Sequence, residues 1–357
     1  MPQRRRLLQT AALVPLLGAA HAWALPARVL QFPRDHGAHP ELRTEWWYLT
    51  GHAQTAAGRE FGFQVTFFRT RVDGTQAMTS RLAARQLLFA HAAITDVQAN
   101  KLWHDERIAR WNGTPGGAVD ASLLDTAVRL SGWSFQREAN GYTASITGDE
   151  LRLDLRAQPT QALLLQGDQG LSRKGPEAVQ ASHYYTQPQL AVRGTLGLRG
   201  QAFEVTGRAW LDHEWSEALL HPEAVGWDWI GMNLNDGSAL TAFQLRRADG
   251  SALWAGGSLR RPSDAAPRSF AHHEVRFEPV RWWTSAQTGA RYPVEWRVAS
   301  PAGEHTVRAR LDAQELDARA STGNIYWEGL SRLLDARGQQ VGQGYLEMTG
   351  YAQRLRL

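Results

Sequence analysis

The sequence predicts an all-β protein, built as barrels or sandwiches in two successive halves. Three observations carry this. Apolar residues recur at period two through most of the chain after residue 40, long helical periodicity is nearly missing, and Asp-Gly pairs punctuate the runs at 73–74, 236–237 and 249–250. In order, the first clear strand lies in 59–72, where Phe61, Phe63, Val65 and Phe67 take one face and Gly62, Gln64 and Thr66 the other. In 141–157, Tyr142, Ala144 and Ile146 alternate, then Leu151, Leu153 and Leu155. A short helical turn is expected in 213–222, before Pro222. The halves divide into 27–215 and 216–357, with WLDHEW (210–215) at the seam. EWWYLTGHAQTAAGREFGFQVTFFR in the first and DWIGMNLNDGSALTAFQLRR in the second share a rhythm: tryptophan-led strand, glycine-containing turn, apolar-alternating strand. A duplicated β module is expected from that.

Residues 1–24 stand apart. A basic start, an apolar stretch and small residues at a cleavage-like end form a secretory signal, and Arg4, Arg5 and Arg6 before Leu7 and Leu8 also suit a twin-arginine signal. Cleavage is expected after Ala22 or Ala24, giving an exported, periplasmic chain. The formal charge is +4, and three arginines in this segment leave the mature chain near +1. No basic patch argues for nucleic acid. No other apolar stretch approaches the roughly 20 residues that span a bilayer. Loose attachment to a membrane surface remains compatible with these features. Cysteine is absent, which excludes disulfides, thiolate metal sites and a cysteine nucleophile. The 15 tryptophans suit either a large β core or a pocket for apolar ligands.

The densest group of reactive side chains is WLDHEWSE (210–217). On a strand, Trp210, Asp212 and Glu214 share one side, and Leu211, His213 and Trp215 the other. The three polar groups therefore cannot grip one metal ion from a regular strand. A carboxyl group beside an indole on an enclosed face has its pKa raised, because burial disfavours the charge. Glu45 in TEWWY, His213, Asp228 between Trp227 and Trp229, and Glu347 in GYLEMTGY are further candidates. His36, His39, His52 and His91 lie near acids, but no recognised ligand spacing links them. No metal site and no cofactor are expected, and there is no glycine-rich phosphate loop.

The runs HPELRTEWWYLTGH (39–52), FGFQVTFFR (61–69), LFAHAAITD (88–96), WLDHEW, GWDWIGMNL (226–234) and GYLEMTGY (344–351) occur in order. Together they resemble the bacterial carotenoid 1,2-hydratase (hydroxyneurosporene synthase) family and its AttH-like relatives, across essentially the whole mature chain. The resemblance implies two tandem lipocalin-like antiparallel β-barrel domains. It also implies a cofactor-free addition of water to the terminal double bond of an acyclic carotenoid. The hydratases use a His-x-Trp pair and, further on, a Tyr-x-Asp pair. The matching positions here are His183 with Tyr185, and Trp210 with Asp212. Histidine and acid are kept, and each aromatic position holds the other aromatic. WLDHEW and the export signal look more like the AttH branch.

These residue types suit hydration. An isolated alkene is protonated only by an acid that carries its proton at working pH, and burial beside Trp210 would keep Asp212 in that form. The tertiary cation needs aromatic faces, with Tyr184, Tyr185 and Trp210 as candidates. His183 can position water or take its proton. Asp212, Trp210, His183 and Tyr185 are therefore expected to converge on one cavity in the first domain, with a long apolar isoprenoid or lipid as the ligand. The alternative is a non-catalytic carrier of such a ligand, in which Asp212 can be ion-paired.

Overall fold

The computed structural model describes residues 24–80, 82–113 and 115–356. The export signal expected in residues 1–24 lies outside them, apart from Ala24. Among the described residues there is no α-helix, only three short 3-10 turns.

The first sheet comprises β1 (Thr44–Gln54), β2 (Glu60–Arg71), β3 (Gln86–Asp96), β4 (Lys101–Trp111), β5 (Val119–Ala121), β6 (Ala127–Leu130), β7 (Trp133–Glu138), β8 (Gly141–Thr147), β9 (Leu151–Gln158), β10 (Leu164–Leu165), β11 (Leu171–Arg173), β12 (Ala181–Leu198) and β13 (Gln201–Ala218). The second comprises β14 (Gly226–Leu234), β15 (Ala239–Arg246), β16 (Ala252–Arg260), β17 (Arg268–Phe270), β18 (Arg276–Thr284), β19 (Arg291–Ser300), β20 (Gly303–Ala309), β21 (Glu315–Ala318), β22 (Asn324–Leu334) and β23 (Gln340–Met348).

All pairings are antiparallel, and the two sheets share a connectivity: β4-β3-β2-β1-β13-β12 in the first, β17-β16-β15-β14-β23-β22 in the second. Each sheet pairs its first strand with its last, so the rhythm shared by the two halves reflects a repeated topology. Edge strand β4 also lies against β5, β6 and β9, which curls the first sheet into a nearly closed barrel.

The alternation in 59–72 works as read. Phe61, Phe63, Val65 and Phe67 enter the first core with Trp47, Leu49 and Leu211. Ile230, Met232, Tyr292, Trp296 and Leu346 belong to the second core. Where the two sheets meet, the outer faces are not solvated, however. Gln64, Thr66, Asp212 and Thr241 are all buried, because the two sheets pack outer face to outer face. Gly62 marks the closest approach: a Cβ there would lie 2.7 Å from the Tyr345 hydroxyl and 2.9 Å from Leu330 Cβ.

Two local expectations are corrected. Residues 213–218 continue β13 as a strand, with no helical turn before Pro222, because His213 and Trp215 are held in ladder register between β1 and β12. Asp73-Gly74 forms a 3-10 turn inside a long connection. Gly237 and Gly250 do turn hairpins, with φ of 88° and 84°.

Candidate active site between the two sheets

Register places the site. Asp212 on β13 is opposite Tyr48 on β1 and Thr186 on β12, and Glu214 is opposite Trp46 and Tyr184. These side chains leave the outer face of the first sheet. From the second sheet, Trp229 on β14 lies beside Phe243 and Glu347, and Glu347 is directly opposite Glu328. A cavity of about 230 Å³ lies between the two faces, with Asp212, Tyr184, Trp46, Tyr48, Trp227 and Trp229 among its walls. Trp229 meets Tyr48 edge-on at 5.5 Å and Trp210 at 6.3 Å.

Asp212 is held by three neutral donors. Its Oδ1 accepts from Trp210 Nε1 at 2.8 Å and Thr186 Oγ1 at 2.6 Å, and its Oδ2 from the Tyr184 hydroxyl at 2.8 Å. Burial pushes its pKa up to about 7, against the lowering effect of those hydrogen bonds. Desolvation thus exceeds hydrogen bonding because no cation compensates the carboxylate. Lys174 is spoken for by Glu214, at 2.8 Å, and its ammonium lies over the rings of Tyr184 and Phe243. Burial also pushes the partly accessible Glu347 up to about 8 and Glu328 well above the carboxylate range. Two acids facing each other across a ladder cannot both ionise there cheaply.

Asp212 therefore lies in the cavity, and Trp210 stands behind it as a hydrogen-bond donor. His183 and Tyr185 do not join them, which corrects the expected convergence. They precede and follow Tyr184 on β12, so the pleat sends them to the opposite face. The cavity is also not inside the first barrel, whose interior is filled by its core.

The opposite face carries a second buried network. The Tyr185 hydroxyl lies 2.7 Å from His36 Nδ1 and 3.2 Å from His213 Nδ1. Glu45 Oε1 lies 2.8 Å from His39 Nδ1 and 2.9 Å from His213 Nε2, and Oε2 accepts from Arg69 Nε at 2.8 Å. Asp35 is 3.1 Å from His39 Nε2. Arg69, with the two histidines, holds Glu45 well below the carboxylate range despite full burial. His39, Glu45 and His213 present ligand atoms within 4.8 Å of one another, close enough to hold a metal ion. Each of those atoms is already paired, and the buried guanidinium of Arg69 supplies the positive charge, so the group fits an ion-pair clip better than a metal centre. It ties the segment before β1 to β1, β2 and β13. Sequence spacing could not show it, because its members come from four separate places in the chain. Asp228 is likewise structural, paired with Arg246 at 2.8 Å.

Comparison with known proteins agrees with this architecture. Residues 23–351 match the family described as AttH-like. The chain belongs to the AttH-like family. A crystal structure of an AttH candidate from Nitrosomonas europaea is 45% identical, with a TM-score of 0.85, covering 92% of this chain and 99% of that one. Kievitone hydratase from Nectria haematococca shares the fold at 15% identity and a TM-score of 0.67, over 86% of this chain and 89% of that one. CghA, solved with Sch210972, does so at 14% identity and a TM-score of 0.54, over 86% and 88%. No curated protein matches the chain. This AttH-like chain thus has a fold that kievitone hydratase also uses, and its own side chains must carry any statement of chemistry.

Proposed function

We propose that this AttH-like protein hydrates an alkene of an apolar, isoprenoid or lipid-type molecule by acid catalysis in the inter-sheet cavity. One observation carries the reading: Asp212 is buried on the wall of an aromatic cavity with no ion-pair partner among the described residues, so burial pushes its pKa up to about 7. In the first step the Asp212 carboxyl proton forms a C–H bond with one alkene carbon, leaving a tertiary cation on the other and a carboxylate on Asp212. The hydrogen bonds from Trp210, Thr186 and Tyr184 hold that carboxylate. The rings of Trp46, Tyr48 and Trp229 present π faces to the cation. A water oxygen then bonds to the cation, and its extra proton returns to Asp212. The acid is restored and no cofactor enters the balance.

The carrier reading would be favoured by an ion-paired Asp212; here no ion pair to Asp212 is formed among the described residues, and Lys174, which also lines the cavity, is paired with Glu214. The features of residues 1–24 support export of the mature chain. Incubation of a cell lipid extract with the protein in ¹⁸O-labelled water tests the proposal. The expected result is a product heavier than a consumed parent by one labelled water, formed by the wild type and not by Asp212→Asn. Formation of the same product by both proteins, or uptake of lipid with no such product, would favour the carrier.

A further inference from the structure

Tyr184, Glu214, Trp46, Phe68 and Phe89 line the cavity, and they stand in one row across five strands of the first sheet, each directly opposite the next. Opposite residues of an antiparallel pair share a face. The row therefore leads outward from the acids, and its next member is Ile108 on edge strand β4, opposite Phe89. Ile108 is 47% exposed. The neighbouring row, Thr44, Thr70, Leu87 and Arg110, follows the same course, and its two threonines also line the cavity. The lining thus reaches solvent at β4 without changing face. The connection 72–85, between β2 and β3, leaves from this end of the sheet. Arg110 Nη1 donates to the Leu82 carbonyl at 3.2 Å, which sets Leu82 against the same edge as Ile108. Leu82 is 73% exposed and Met78 47%. Arg85 Nη2 donates to the Met78 carbonyl at 2.9 Å. Neither Arg85 nor Arg110 is ion-paired among the described residues, and the one acid of the connection, Asp73, is taken by Arg71 at 2.6 Å. Single exposed apolar side chains are ordinary. Three on one edge, with two unpaired arginines, at the outlet of an aromatic cavity, make an interaction surface.

We infer that this edge, with Ile108, Leu82 and Met78 flanked by Arg85 and Arg110, docks on a bilayer surface that carries anionic phospholipid, so that the cavity opens against the lipid. The apolar tips enter the headgroup boundary and the guanidinium groups meet phosphate. This rests on the reading of the cavity as an apolar-ligand site: such a ligand is held in bilayers, and a docked mouth spares it a passage through water on its way to Asp212.

Flotation of the ligand-free protein with vesicles tests this. Residues 1–24 are removed first, because that apolar segment would bind lipid by itself; both cores are built from Ala38 onward. The wild type is expected to bind vesicles of phosphatidylethanolamine and phosphatidylglycerol roughly ten- to thirty-fold tighter than vesicles of phosphatidylcholine alone, since each arginine near an anionic surface contributes about five-fold. Leu82→Ser should weaken binding to the anionic vesicles roughly ten-fold, the loss of one inserted leucine, and Met78→Ser by a similar factor. Val280→Ser, at a comparably exposed apolar residue on β18 of the second sheet, should leave binding unchanged. Absence of wild-type binding, equal binding to both kinds of vesicle, or wild-type binding by Leu82→Ser and Met78→Ser would overturn the inference. So would a wild-type dimer in sedimentation that Leu82→Ser dissociates, which would assign the edge to a second copy of the chain. No substrate enters the assay, so these failures leave the hydration reading standing, and a failure of hydration leaves vesicle binding to be scored on its own.

Discussion

Replacing Asp212 by Asn should change how stability depends on pH, and the size follows from the site. Burial raises the Asp212 pKa from 3.8 to about 7. As pH rises above 3.8, the unfolded chain releases this proton while the folded chain still holds it. Stability therefore falls with rising pH across the window from 3.8 to about 7, and the loss is complete above it. At about 1.4 kcal/mol per pH unit, roughly 3 kcal/mol is lost between about pH 4.5 and 8.5. Asparagine is neutral throughout and keeps the shape: its oxygen can accept from Trp210 and Thr186, and its N–H can meet the Tyr184 hydroxyl, which turns to accept. Urea unfolding of both proteins at those two pH values is the assay. The variant should gain on the wild type by roughly 3 kcal/mol on going to the higher pH, and should lose turnover by about 10²-fold or more. A stability difference that does not change with pH would show that Asp212 is ionised in the folded protein, and the chemistry proposed for it would fail.

Three other perturbations separate the two faces of β12 and β13. His183→Gln should leave ligand binding and turnover unchanged, since His183 lies across the pleat from the cavity; a loss of turnover comparable to Asp212→Asn would return it to the site. Glu45→Gln strands Arg69 in a fully buried position. It should cost about 3–5 kcal/mol in urea unfolding at neutral pH; a cost below about 1 kcal/mol would mean the clip does not anchor the segment before β1. Trp210→Phe deletes a hydrogen bond that lowers the Asp212 pKa. The variant's Asp212 should titrate at higher pH than in the wild type, as read by the pH dependence of turnover.

Much of this was legible in the sequence where a local rule acts alone. Period-two runs gave β2, β8 and β9, and strand parity correctly put Trp210 and Asp212 together and apart from His213. The matched rhythm of the two halves foreshadowed the shared connectivity of the sheets. The failures have one physical source: the strands that meet between the sheets are buried on both faces. Parity says which residues share a side of one strand, but not which side meets a partner sheet. A family correspondence groups His183 and Tyr185 with Asp212. The β12–β13 register instead aligns Tyr184 and Thr186 with the acids, and reading parity along 182–187 against 210–214 would have needed that register. Glu328, one acid in NIYWEGL on β22, reads as an ordinary sheet position; only the approach of the first sheet makes it part of the cavity. The cluster of His39, Glu45 and His213 was hidden for the same reason, since its three elements meet only in the fold.

The proposed chemistry requires Asp212 to hold the reacting proton near neutral pH. Infrared spectroscopy tests it most directly, as the wild-type minus Asp212→Asn difference in the carboxylic acid C=O region, recorded through a pH titration in light and heavy water. The expected result is a protonated-carboxyl band, shifted by deuterium, that is present at pH 6 and gives way to carboxylate with a midpoint at about 7. A difference spectrum showing only carboxylate at pH 6 would contradict it.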